Sequence, residues 1–182
     1  MIGDGFGDIL EAARGGDDGA FAALWRDTNP ALLRYLRVLD AAVADDLAAE
    51  TWLHIVRGLH TFRGDETAWR GWVFTIAKRR NVDEVRRRIR QPATPVELPE
   101  DGVVDEDSAD LALRNLDTRA ALDLIATLPP LQAEVILLRV VAGLPVDMVA
   151  EIVDRSAGAV RVAAHRGLRK LARIMTERGV TL

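Results

Sequence analysis

The sequence predicts an all-α protein, two small helical domains joined by a flexible acidic linker, on three observations. Apolar residues recur at helical spacing through most of the chain, most clearly over Asp65–Arg90, which holds no Pro and one early Gly. The segment 91–110 (QPATPVELPEDGVVDEDSAD) breaks that pattern, with three prolines, few large apolar residues and no usable periodicity. Near the C-terminus Ala150, Asp154 and Val160 stand at the spacing of a helix-turn-helix, with Ala at the helix crossing, Asp in the turn and Val returning to the core. A length of 182 residues suits one medium domain or two small ones.

Hydrophobic content of 49% with 29% charged residues describes a soluble, folded protein. No apolar run approaches the roughly 20 residues of a membrane helix, and the N-terminus MIGDGFGDIL lacks the basic, then apolar, pattern of a signal peptide. The expected location is the cytoplasm, without membrane insertion. Absence of cysteine removes disulfides, thiolate catalysis and cysteine-based zinc sites together. The net charge of −4 is spread unevenly: 14 acidic and 14 basic residues in 1–90, 7 acidic and no basic in 91–113, 7 acidic and 10 basic in 114–182. The acidity belongs to the middle segment, so it does not argue against nucleic-acid binding by the flanks.

In chain order, Phe6–Arg14 and Asp18–Asp27 read as short helices separated by Gly15 and Gly16, with Asp17 or Asp18 as a cap. Asn29-Pro30 starts another, with Leu32, Leu33, Leu36 and Leu39 for burial. Over Val43–His60 an apolar stripe of Leu47, Ala48, Thr51, Trp52, Ile55, Val56 and Leu59 lies opposite Asp46, Glu50, His54 and Arg57. Leu53 projects from that polar face, either as an ordinary exposed leucine or as an apolar anchor inside a polar rim. Phe62-Arg63-Gly64-Asp65 makes a short connection, and Asp65 or Thr67 caps the long helix that follows. On that helix Trp69, Trp72, Val73, Ile76 and Ala77 share one face, and Arg79, Arg80, Arg86, Arg87 and Arg90 continue it, interrupted by Asp83. Val82, Val85 and Ile89 move to the other side. The arginine end is either a solvated terminus suited to the helix dipole or a rail for phosphates.

Beyond the acidic segment, a passive tether or a functional element in its own right, the helical pattern resumes from Leu111 and stops at Leu128-Pro129-Pro130. Leu131–Val141 forms the next helix, closed by Gly143. In the helix-turn-helix the usual turn Gly is replaced by Asp154, which tolerates the left-handed conformation better than most residues. Its second helix starts at Ser156 or Ala157. Ala159, Val160, Ala163, Ala164, Gly167, Leu168, Leu171 and Met175 lie on one side, Arg161, His165, Arg166, Arg169 and Arg173 on the other. Val162 stands among the arginines, where a DNA-reading helix would touch a thymine methyl beside Arg contacts to guanine edges or phosphates.

The run Asp45-Asp46-Leu47-Ala48-Ala49-Glu50-Thr51-Trp52-Leu53, then Phe62-Arg63-Gly64-Asp65, Trp69, Trp72, Ile76-Ala77 and Asp83 to Arg88, resembles the second conserved region of the extracytoplasmic-function (ECF) sigma factors of bacterial RNA polymerase. Leu128-Pro129, followed by Gly158-Ala159-Val160-Arg161 and His165-Arg166-Gly167-Leu168-Arg169-Lys170-Leu171, resembles their fourth region. The resemblance implies sigma region 2 over 1–90, an acidic linker over 91–113 and sigma region 4 over 114–182. It implies that Asp46, Glu50, Leu53 and Arg57 meet the clamp helices of core RNA polymerase. Arg63, Gly64, Asp65 and Glu66, with Arg79, Arg80, Arg86, Arg87 and Arg90, would hold the −10 promoter DNA, a flipped base near the loop and phosphates along the arginines. Arg155, Ser156, Arg161, Val162, His165, Arg166 and Arg169 would read the −35 element. An anti-sigma factor is the implied regulatory partner. Ala49, Arg79, Ala159, Val162 and Ala163 depart from the residues common at their positions in the family, which bears on base preference rather than fold.

Two other classes compete with this reading. A conventional helix-turn-helix regulator with a helical sensing domain would bind duplex DNA without polymerase. An enzyme would need converging catalytic groups, but His54, His60 and His165 are the only histidines, and no HxxxH, DxD or Gly-rich phosphate loop accompanies them. The sequence therefore predicts no catalytic residues, no metal site and no cofactor.

Overall fold

A computed structural model describes residues 1–90 and 109–177, and among them it is helical throughout, with no strand. Helix α1 (Phe6–Arg14) buries Phe6, Leu10 and Ala13, and the chain reverses at Gly16, whose φ of 91° suits a residue without Cβ. Asp17 caps α2, its Oδ1 accepting from Ala20 N at 2.7 Å. Where the sequence suggests two helices meeting at Asn29-Pro30, the structure has one, α2 (Asp18–Leu39), with Pro30 inside it. A helix-interior proline forfeits one backbone hydrogen bond and costs about 3 kcal/mol. The residues just before it tie the helix to its neighbours instead: Trp69 Nε1 donates to the buried Thr28 Oγ1 at 3.0 Å, and Trp52 Nε1 to the buried Asn29 Oδ1 at 2.9 Å. These tertiary bonds favour continuing the helix over breaking it.

Helix α3 (Ala44–Gly58) lays Leu47, Ala48, Thr51, Trp52 and Ile55 on α2, while Val56, expected in the buried stripe, is 53% exposed. Asp65 caps α4 (Glu66–Arg90), accepting from Ala68 N at 2.8 Å. Trp69 then sits at the centre of an aromatic cluster, with ring centroids of Phe62, Trp72, Phe6 and Trp52 at 5.6, 5.7, 6.4 and 6.4 Å.

The second half begins with α5 (Ala109–Ala126), two residues ahead of the expected resumption at Leu111. The rest of the predicted linker, 91–108, lies outside the described residues. Pro130 opens α6 (Pro130–Ile136), which runs into a single π turn over Leu137–Val141 before Gly143 turns the chain at φ 70°. Helices α7 (Val146–Val153) and α8 (Ala157–Glu177) form the helix-turn-helix, and Asp154 between them is left-handed at φ 51°, ψ 56°. Ala150 and Val160 are buried at the crossing. Helix α8 also meets α6 closely at Gly167, where a Cβ would lie 2.6 Å from Ile136 Cδ1.

Candidate nucleic-acid interface

The aromatic cluster ends at the loop before α4. Phe62 stacks on Trp72 at 4.9 Å and 20°, and Trp72 is only half buried, so a flat aromatic platform lies beside the loop. Gly64 has φ 149°, and a Cβ there would lie 2.7 Å from Ala68 Cβ, so the tight approach requires glycine. Arg63 folds back, donating to Phe62 O at 2.8 Å and His60 O at 3.0 Å, yet stays exposed. Asp65 is exposed while its Oδ1 caps the helix. Glu66 is placed differently from its loop neighbours: its two oxygens accept from Ile2 N at 2.8 Å and Gly3 N at 3.0 Å, and its side chain is 15% exposed. That carboxylate pins the N-terminal segment and turns from the open face.

Along α4 the arginines differ in what holds them. Arg79 is exposed and makes no hydrogen bond or ion pair among the described residues. Arg80 Nη2 lies 3.0 Å from His54 Nδ1, and Arg86 sits a loose 3.8 Å from Asp83. Arg87 is engaged by Glu84 at 2.7 Å, and Arg88 bridges Glu84 and Asp40. Partial burial pushes the Glu84 carboxyl up, but the hydrogen bonds and charges of Arg87 and Arg88 outweigh it and hold it below its usual range. Arg90 Nε reaches only Arg86 O, at 3.3 Å. The face is therefore partly neutralised in its middle and open at both ends.

On α3, Asp46, Glu50, His54 and Arg57 are exposed, and Leu53 (57%) and Val56 (53%) form an apolar spot among them. On α8, Arg161, Val162, His165, Arg166 and Arg169 all face solvent, with Val162 49% exposed. Arg155 is exposed and donates to Asp154 O at 2.8 Å. Ser156 serves as the helix cap, its Oγ accepting from Ala159 N at 3.2 Å. Leu168, expected on the packed side, is 50% exposed. Between α6 and α8 runs a groove of about 560 Å³ lined by Gln132, His165, Arg166, Arg169, Lys170 and Arg173. Sequence reasoning passed over Lys170, the groove's added cation, since it lies between the apolar and arginine sides of α8. It also passed over Glu134, an acid inside the apolar run Ala133–Leu138, and Lys78, next to the arginine face.

Two family models match the chain: Sigma-70 region 2 over residues 24–91 and Sigma-70, region 4 over residues 118–171. The ECF RNA polymerase sigma factor SigD of Mycobacterium tuberculosis is 31% identical over 178 residues, covering 94% of this chain and 84% of that protein. The chain belongs to the ECF RNA polymerase sigma factors. Another relative, the ECF sigma factor BldN of Streptomyces coelicolor, is 31% identical over 173 residues, covering 93% of this chain and 66% of its own length. The fold also resembles the sigma factor RpoE of Bartonella quintana, solved with the anti-sigma factor NepR, at a TM-score of 0.62 and 20% identity over 86% of this chain and 96% of that one. This sigma factor thus carries the loop and arginine face of α4 in its region 2 match and the helix-turn-helix in its region 4 match. It acts with core RNA polymerase and promoter DNA in transcription initiation.

Proposed function

We propose that the exposed spot of Leu53 and Val56 on α3, rimmed by Asp46, Glu50 and Arg57, docks core RNA polymerase. In this reading the Arg63–Asp65 loop and the arginines of α4 hold the melted −10 element, and Arg155, Arg161, Val162, His165, Arg166 and Arg169 on and before α8 read the −35 element. The observation that carries it is the pair of solvent-facing arginine surfaces on two different helices, one beside an aromatic platform suited to an unstacked base and one on a recognition helix. Residues 1–90 then serve as region 2, 91–113 as the linker and 114–182 as region 4. Glu66 and Ser156 support these surfaces by tying down the N-terminus and capping α8. The rival, a conventional helix-turn-helix regulator, has no use for the α4 arginines collinear with the aromatic platform.

The protein is an initiation factor rather than an enzyme, needs no cofactor and works in the cytoplasm beside the polymerase. Among the described residues no helix is long and apolar enough to cross a membrane. An anti-sigma factor restrains it, as the RpoE complex with NepR suggests by analogy of fold. The test is to mix the protein with bacterial core polymerase and fragmented genomic DNA and to sequence the transcript starts. Clustered starts sharing paired upstream elements are expected; a folded protein giving no complex with core and no new starts would sink the reading.

A further inference from the structure

Trp72, Ile76 and Arg80 follow one another at helical spacing along one line of α4. The line that begins at the aromatic platform therefore ends, about 12 Å along the helix axis, at a guanidinium. Helix α3 runs against that line. Gly58 lies over Trp72, where a Cβ would come within 3.0 Å of its Cζ2, and Ile76 is buried. One turn before Gly58, the ring of His54 meets Arg80, with Nη2 3.0 Å from Nδ1. His54 is exposed and Arg80 half-buried, so the pair closes the solvent end of the joint between α3 and α4.

A guanidinium only donates, so His54 Nδ1 accepts with its lone pair. The proton of the neutral imidazole then sits on Nε2, and an imidazolium, with no lone pair, has no part in this bond. The pairing differs in kind from the others on the face. Arg86 and Arg87 stand beside the carboxylates of Asp83 and Glu84, and Arg88 beside those of Glu84 and Asp40, so what holds each guanidinium also offsets its charge. Arg79 keeps its charge but has no partner among the described residues to aim it, and Arg90 reaches only a backbone carbonyl of its own helix. Among the described residues of this face, Arg80 alone is held by a neutral side chain from another helix, aimed and still fully charged. Fixing a long side chain beforehand removes part of the ordering cost of binding, and an intact charge keeps its whole attraction for a phosphate. We propose that His54 is a positioning residue for the melted −10 strand: as the neutral, Nε2-protonated tautomer it fixes Arg80 as a phosphate seat at a set distance from the base held at Phe62 and Trp72. This role rests on the nucleic-acid reading of α4.

Because His54 lies among the residues proposed to dock the polymerase, binding is measured on purified holoenzyme assembled with bacterial core, where a change in core affinity does not enter. The probe is a fluorescent single strand copied from upstream of a mapped transcript start, titrated over a range of salt. Arg80→Gln should weaken binding and flatten the slope of log affinity against log salt by about 0.7, the value of one phosphate contact on a single strand. His54→Leu removes the acceptor without removing a charge. It should weaken binding about three- to tenfold, the scale of one side chain's ordering cost, and leave the slope unchanged. His54→Asn, whose amide oxygen falls near the place of Nδ1, should restore binding, and His54→Leu should cost nothing further in an Arg80→Gln background. Native affinity in His54→Leu, a flattened slope in that variant, or His54→Asn as weak as His54→Leu overturns the positioning role. Arg80→Gln with native affinity and slope is instead a failure of the nucleic-acid reading at Arg80, and the role falls with it. In the free protein, ring-nitrogen NMR at mildly alkaline pH should show the His54 proton on Nε2 and an Nδ1 signal that moves on Arg80→Gln. A proton on Nδ1, or a signal indifferent to Arg80→Gln, overturns the pairing itself.

Discussion

Leu53 and Val56 stand more than half exposed among charged neighbours, an arrangement that leaves apolar surface in water, a cost relieved when a partner covers both. Leu53→Asp should weaken binding to core polymerase about tenfold or more, the scale of an interface hot spot, with unfolding temperature unchanged. A titration showing equal affinity would remove α3 from that interface. On α8, Arg166→Ala or Val162→Asp should cost about 1–3 kcal/mol in use of the −35 element, as expected for a lost base contact. Transcription from a mapped promoter reads this directly, and normal output from both variants would displace the recognition surface. Tyr35, the only tyrosine, has its hydroxyl pushed well above its usual pKa by burial, then by the charge and hydrogen bond of Glu134. Because the folded value is the higher one, the stability it contributes is whole below the unfolded value of about 10 and is lost as pH rises through the folded value. Absorbance of tyrosinate should therefore stay low where free tyrosine is half ionised, and Tyr35→Phe should flatten the alkaline limb of a stability profile.

At the scale of elements, the helix-turn-helix depends on one backbone position. Asp154 is the only non-glycine residue with positive φ among the described residues, and it sets the angle at which α8 leaves α7. Asp154→Val should destabilise the protein by about 1–2 kcal/mol through left-handed crowding of its branched Cβ, and Asp154→Gly should not. Thermal unfolding of the two variants separates strain from loss of the carboxylate: equal losses would mean that the side chain matters more than the angle. The long α4 shows how one element serves two tasks. Its first half is fixed by Trp69, Val73, Phe74 and Ala77 in the core, and that anchoring carries the second half, with Arg79 and Arg90, outward in a fixed direction. Helix α2 does the complementary work, since the two indole hydrogen bonds beside Pro30 fasten α3 and α4 to a common support.

At the scale of the whole molecule, the contacts of α2 and α4 with α6, α7 and the π turn make the two regions one packed body, so native unfolding in a calorimeter should be a single transition that Gly71→Leu splits into two. Two transitions in the native protein, or one in the variant, would contradict the coupling. The sequence by itself determined the helices, most of their caps and their buried faces, the helix-turn-helix and both arginine faces. Each is written in residues no more than a few turns apart, where the helical repeat and the cap chemistry leave a visible pattern: Asp17, Asp65 and Ser156 stand where sequence places helix starts, and Trp69, Val73 and Val160 where it places core. Tertiary structure alone decided that α2 continues through Pro30, that Val56 joins Leu53 in the open, that Glu66 serves the N-terminus rather than the loop, and that Glu134 ties the regions together. Those outcomes depend on partners 99 positions apart for Tyr35 and Glu134, 56 for Lys78 and Glu134, and 64 for Ile2 and Glu66. Burial of a polar group is settled by which distant group can pair with it, and no local periodicity records that choice.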